Sequence, residues 1–146
     1  MNVTIRPAQP SDRASWEPLW NGYMAFYKKK VREEQTELTW QRMLGANADM
    51  FCLIAADDED NAVGIAQCVV HPSTWTELPY CYLEDLFVSP ALRGGGIARK
   101  LIEAIYARAE AENWAKVYWV TEQDNHVAQA LYDKLATNEH FIQYRR

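Results

Sequence analysis

Two adjacent carboxylates, Glu84 and Asp85, interrupt an otherwise apolar run from Tyr82 to Val88. A glycine turn follows, Gly94, Gly95 and Gly96, with Arg93 before it and Arg99 after it. Ionised groups are costly to bury without partners, and functional sites are where perturbed carboxylates gather. The pair are therefore candidates to accept a proton. Strand alternation sends them to opposite faces unless a bulge intervenes. The glycines allow close approach of backbone or ligand. If they open a helix, its first free N–H groups and its dipole form an anion site, flanked here by two arginines. That chemistry suits a phosphate-bearing ligand. The spacing is not the dinucleotide fingerprint, and no Gly-Lys-Ser/Thr follows as in a P-loop. On the glycines alone, a ligand-free strand–helix turn stays open.

The surrounding pattern supplies elements to position these groups. Pro90 stops the Tyr82–Val88 strand, and Ile97, Leu101 and Ile105 repeat at helical spacing towards about Glu112. Asn113 suits a left-handed helix end. Before them come a short strand at Val3–Arg6 and a helix to about Lys28, begun by Ser11 and Asp12. That helix carries an aromatic face of Trp16, Trp20, Tyr23, Phe26 and Tyr27, either a core stripe or in part a binding wall. The charged run Lys28 to Glu34 is expected as a solvated loop or frayed helix end. A second helix, capped by Thr39, is expected over Trp40–Leu44, ending near Gly45 or Asn47. Strands at Met50–Ala56 and Ala62–Val70 flank the polar turn Asp57–Asn61. After the central helix the pattern gives a strand at Lys116–Thr121, a helix at Val127–Leu135 and a last strand at Phe141–Tyr144. The order predicts one α/β domain over residues 1–146. It has a mixed sheet covered by helices on both faces, and the strand after the long helix runs parallel to the central strand.

Composition bounds the rest. The 146 residues suit a single core, and the net charge of −5 argues against general nucleic-acid binding. Three cysteines, Cys52, Cys68 and Cys81, have no paired spacing, and the histidines show no ligand spacing, so neither a disulfide framework nor a metal site is expected. No signal peptide or membrane-length apolar run is seen, and the expectation is a cytoplasmic protein.

Arg93-x-x-Gly96-x-Ala98 after a strand, followed at a distance by Asn125 and Tyr132, resembles the GNAT superfamily of N-acetyltransferases. Ile5-Arg6-Pro7-Ala8 and Asp12 resemble the family's opening strand and first helix. Tyr82-Leu83-Glu84-Asp85-Leu86-Phe87-Val88 is similar to the diamine (spermidine/spermine-type) subgroup. Val117-Tyr118-Trp119-Val120-Thr121, with Asp124-Asn125-His126 and the segment Ala128 to Tyr132, is similar to the fungal histone and other protein acetyltransferase subgroup.

The resemblance implies acetyl-CoA as donor, no metal, a primary amine acceptor on a small molecule or peptide, and a homodimer. It implies a pyrophosphate seat in Arg93, Gly94, Gly95, Gly96, Ile97, Ala98 and Arg99, with Asn125 on the pantetheine or ribose side. Acetyl transfer to an amine makes three demands: loss of the amine's proton, donors for an oxyanion, and a proton for the leaving thiolate. Glu84 is the expected base, acting through water, and Asp85 a structural or substrate-contacting group. A backbone N–H from Leu86, Phe87 or Val88 is the expected oxyanion donor. Tyr132, seven residues after Asn125, is the expected general acid. Acceptor contacts are expected from Trp75, Tyr80, Tyr27, Trp20, Tyr23 and Glu33 or Glu34, since aromatics and carboxylates suit an ammonium. A covalent route through Cys81 lacks a histidine in the local motif. The family's glycine after the tyrosine helix is missing, and Asn138 is expected to take the left-handed position there.

Overall fold

A computed structural model describes residues 2–45 and 49–146. The chain runs β1 (Thr4–Pro7), α1 (Arg13–Phe26), α2 (Glu33–Leu44), β2 (Met50–Ala56), β3 (Ala62–His71), β4 (Tyr80–Val88), α3 (Ile97–Glu112), β5 (Lys116–Tyr118) and α4 (His126–Leu135), with 3-10 turns at Pro10–Asp12 and Pro90–Leu92. The sheet order follows the sequence, β1 to β5. The first four strands are antiparallel, and β5 pairs with β4 in parallel, as a helical crossover requires. The expected mixed sheet with helices on both faces is the one observed.

Each face owns a core. On one side Trp16, Leu19, Trp20 and Met24 of α1 and Trp40 and Met43 of α2 pack on Cys52, Ile54, Ile65 and Phe87. On the other, Ile97, Leu101, Ile102 and Ile105 of α3 pack on Leu53, Ala66, Cys68, Cys81, Leu83 and Val88. The aromatic stripe of α1 divides: Trp16 and Trp20 are core, Tyr23 packs at the core's edge, Tyr27 is half-buried and Phe26 is 53% exposed. Gly22 lets α1 press on β4: a Cβ there would meet the Phe87 ring at 2.8 Å.

Four expectations, on helix α2 and the last third of the chain, change. Glu33 and Glu34 are the first turn of α2, where their charge complements the helix dipole, so the helix begins well before Thr39. Asn47, offered as its end, lies outside the described residues. The strand expected at Phe141–Tyr144 does not form. β5 stops after three residues, before the expected Thr121, and strand propensity alone does not supply a neighbour to pair with. Phe141, Ile142 and Tyr144 are instead 88%, 76% and 88% exposed. Asn138 is not the left-handed residue after α4. His140 is, with φ 61°, and the Asn138 side chain accepts its N–H at 2.8 Å. Asn113 does end α3 in the left-handed conformation.

Asp12, read with Ser11 as opening the first helix, makes no side-chain cap bond to α1. Its carboxylate turns back to receive both Arg6 Nη atoms, at 2.7 and 2.8 Å, and the Gln9 N–H at 2.7 Å. This ties β1 to α1 with a carboxylate that is 3% exposed. The Arg6 hydrogen bond holds the Asp12 carboxyl below the usual range. Its contribution is complete above the unfolded aspartate pKa of about 3.9 and is lost as pH falls through the lower folded value. Asp12→Ala is expected to lower the unfolding free energy by about 3 kcal/mol at neutral pH. In denaturant titrations the gap from wild type should narrow as the pH falls below about 4. A gap that stays constant with pH rules the ion pair out as its source.

Candidate active site

The β3–β4 ladder pairs Gln67 with Asp85 and then Cys68 with Leu83, so Glu84 has no residue opposite it. It is a bulge, and it resets the alternation. Leu83 faces the α3-side core, and Asp85 faces α1, where strict alternation would have put both on one face. Phe87 and Val88 then enter the two opposite cores.

The β4–β5 ladder ends at Tyr82↔Tyr118, while β4 continues to Val88. From Leu83 onwards β4 pairs with no strand on that side among the described residues, and a cleft opens between the diverging strands. Glu84, Leu86, Tyr23, Tyr27, Trp119 and Tyr132 line it. The expected base and acid are therefore brought together. The side chains of Phe87 and Val88 are buried, which leaves their backbone as what they can offer.

Each polar group in the cleft has an identifiable electrostatic environment. Glu84 is surface-exposed as a residue, yet neighbours shield its carboxyl. That shielding first, and the Asp85 charge second, push it above the ordinary glutamate range. Burial also pushes Asp85 up, opposed by the hydrogen bond from Gln67 and by the nearby Tyr23 hydroxyl. The Tyr23 hydroxyl donates to the Glu84 carbonyl at 3.2 Å and is held firmly protonated by burial and by Asp85. Tyr132 packs edge-on against Trp119 at 5.3 Å, and burial followed by the nearby Tyr27 raises its phenol. Among the described residues its hydroxyl has no protein partner. It is a protonated donor aimed at a cleft.

Gln67 was not singled out in the sequence. It is 3% exposed, and its Oε1 accepts the Trp16 indole N–H at 2.7 Å. That fixes the amide, so Nε2 donates to Asp85 Oδ2 at 2.8 Å. The available signal was a lone amide in the apolar strand Ala62–Val70.

The glycine turn follows β4. Gly94 and Gly96 take φ 85° and 84°, a region that disfavours any side chain, and a Cβ on either would project into open space. The first helical bond of α3 is Lys100 N–H to Gly96 O. Among the described residues, the N–H groups from Gly94 to Arg99 find no protein acceptor. An exposed row of unsatisfied donors at a helix N-terminus fits a pyrophosphate. Arg93 ties the turn to β4, donating Nε to Val88 O at 3.1 Å with its guanidinium over the Phe87 ring. Arg99 shares its charge with Glu103 at 2.8 Å. Asn125 caps α4, accepting the Ala128 N–H at 3.3 Å. Tyr106 holds the far end of α4 through Leu135 O at 2.9 Å.

Other expected acceptor contacts lie elsewhere. Trp75 is 89% exposed on a loop, Glu33 is in the first turn of α2, and Tyr80 starts β4; none lines the cleft. Trp20 is core, its indole N–H on Thr36 at 3.0 Å, and Glu34 pairs with Arg32. Val127 is 89% exposed, and Tyr132 and Leu135 make the buried side of α4. Cys81 is buried in the α3-side core and does not line the cleft.

Comparison with known proteins agrees with this geometry. D-amino-acid N-acetyltransferase HPA3 of Saccharomyces cerevisiae is 33% identical over 145 residues, covering 99% of this chain and 90% of that one. The solved ribosomal-protein-alanine N-acetyltransferase of Brucella melitensis biovar Abortus 2308 superposes with a TM-score of 0.82 at 23% identity, covering 99% of each chain. AAC(6')-Iy in complex with the bisubstrate analogue CoA-S-monomethyl-acetylneamine superposes at 0.84 with 21% identity, covering 100% of this chain and 99% of that one. The sequence model of the acetyltransferase (GNAT) family matches residues 16–136. That match spans both the cleft and the glycine turn, and by it the chain belongs to the acetyltransferase (GNAT) family and is an acyltransferase.

Proposed function

We propose that the chain moves an acetyl group from acetyl-CoA to a small primary amine, a diamine or polyamine or a lysine-like amine, by direct transfer in a ternary complex. The observation that carries the reading is the meeting of Glu84 and Tyr132 in one cleft beside the open edge of β4. Bound acetyl-CoA supplies the reactive thioester, and the free N–H groups from Gly94 to Arg99 hold its pyrophosphate, with Asn125 near its pantetheine or ribose. Glu84, made more basic by its surroundings, takes the proton the ammonium must lose, directly or through water. The open backbone edge at Leu86–Val88 offers donors for the oxyanion. Tyr132 gives its proton to the departing sulfur. Burial of Cys81 away from the cleft supports direct transfer over an acyl-cysteine route. Two acids beside Tyr23 and Tyr27 suit a cationic acceptor. The name of the yeast relative favours a second reading, the amine of an amino acid. The reading includes a homodimer, supported by the exposed apolar tail Phe141, Ile142 and Tyr144.

An acceptor panel of polyamines, lysine analogues, amino acids and a histone-tail peptide tests the reading, alongside calorimetry with acetyl-CoA. Binding without turnover on any acceptor would convert the protein into a cofactor-binding module. Tyr132→Phe is expected to lower kcat by about a hundredfold with little change in acetyl-CoA affinity. Equal kcat removes the general-acid role. The kcat of the wild type should rise with pH through a group above the ordinary glutamate range, since the ionised form is the base. Glu84→Gln should abolish that limb. Asp85→Asn removes a like charge and should move it to lower pH. A limb that ignores both substitutions assigns the base elsewhere.

A further inference from the structure

Past the cleft, the α1 side of the sheet remains open. Cys81, Leu83 and Val117 point into the α3-side core, so Tyr80, Tyr82, Lys116 and Tyr118 project on the opposite face. These residues form a fixed strip. Tyr82 and Tyr118 stack with ring centres 5.0 Å apart. His71 Nδ1 lies 2.8 Å from Pro72 O, an acceptor, so that nitrogen carries the proton and Nε2 accepts from the Tyr118 hydroxyl at 2.6 Å. Lys116 is surface-exposed, yet its ammonium is held over the Tyr80 and Tyr118 rings at 4.6 and 5.2 Å. Among the described residues no carboxylate lies within ion-pair distance of it.

The strip thus joins two unlike ends. Glu84 stands at one, next to Tyr82, and an uncompensated ammonium stands at the other. Tyr80, the ladder partner of Lys116, is four residues from Glu84, which at ~3.3 Å per residue separates the ends by about 13 Å of strand. The Lys116 ammonium lies over both Tyr80 and Tyr118, nearer the Tyr80 ring.

We propose that Lys116 is a specificity-determining residue that recognises a carboxylate at the far end of the acceptor. The acceptor class is then an ω-amino carboxylate of the lysine type. Its amine enters the cleft at Glu84 and Tyr132, its methylene chain lies on Tyr82 and Tyr118, and its carboxylate meets Lys116. This rests on the acetyl-transfer reading and narrows it. A diamine of the same length would bring a second ammonium against Lys116. An α-amino acid, with its two charges adjacent, does not span the strip. The stacked and hydrogen-bonded rings are ordered in advance, so little freedom is lost when a chain settles on them.

Competing acceptors of equal length separate the possibilities. With acetyl-CoA, kcat/KM is measured for ε-aminohexanoate, hexanediamine and hexylamine in the wild type, Lys116→Gln and Lys116→Glu. The wild type is expected to favour ε-aminohexanoate over the diamine by about tenfold. That ratio should fall towards unity in Lys116→Gln and invert in Lys116→Glu. It should also shrink as salt rises, because both partners are at the surface. A wild-type ratio of unity or less, or a ratio that Lys116→Glu leaves in place, overturns the proposal. If no amine is acetylated, the acetyl-transfer reading has failed. Calorimetry of ε-aminohexanoate then decides the Lys116 site alone: binding lost in Lys116→Glu upholds it, and absent or equal binding overturns it.

Discussion

Strict alternation through β4 would send Asp85 to the same face as Leu83, into the apolar core of Cys81, Ile102 and Ile105. The extra residue at Glu84 removes that conflict. It turns Asp85 to the α1 side, where Gln67 meets it at 2.8 Å with an amide already oriented by Trp16. The same register step leaves Glu84 unpaired at the cleft. A buried indole N–H on α1, an amide on β3 and a carboxylate on β4 therefore fix where the candidate base stands. Removing the amide would leave the indole donor and a buried carboxylate unpartnered, which is why this relay constrains the register so strongly.

The two cores hold the bulge in place. Immediately beyond it, Phe87 anchors in one core and Val88 in the other. Close passage of α1 at Gly22 brings Tyr23 to the Glu84 carbonyl. Within this frame partial burial suits the two candidate side chains to opposite roles. It raises the Glu84 carboxyl and makes it a better proton acceptor. It raises the Tyr132 phenol and keeps its proton on until a strongly basic group arrives.

Much of this was legible in the sequence, and the gaps have physical reasons. The glycine turn, the strand before it and the Asn125 to Tyr132 spacing are local signals, and the structure places them as a strand, a loop of free donors and a second helix beside the cleft. The two carboxylates were visible, but their faces were not, because a bulge depends on the register with β3. Gln67 escaped notice because its role needs Trp16, distant in sequence. Phe141 to Tyr144 carries strand-like residues without a neighbouring edge long enough to use them. Glu33, Trp75 and Tyr80 had suitable chemistry, but residue type says nothing about which of many aromatics and acids reach one cleft. Tyr80 found a different use, under the Lys116 ammonium.

The elements that would hold the ligand under the proposed reading have little buried support of their own. α4 has no fully buried residue and is held by its Asn125 cap, by Tyr106 at Leu135, and by Tyr132 against Trp119. The glycine turn leaves a row of N–H groups without acceptors and keeps two residues in the left-handed region. Elements with little buried area open at lower free energy than the global fold. A phosphate-bearing ligand that satisfies those donors, and whose far end reaches the Tyr132 cleft, would bridge both weak elements to the rigid end of β4. The pairing of a fixed β4 with a loosely held acid helix then has a clear logic. The candidate base and oxyanion donors lie on β4, which both cores hold rigidly. Tyr132 lies on α4, the element that a bound ligand would brace.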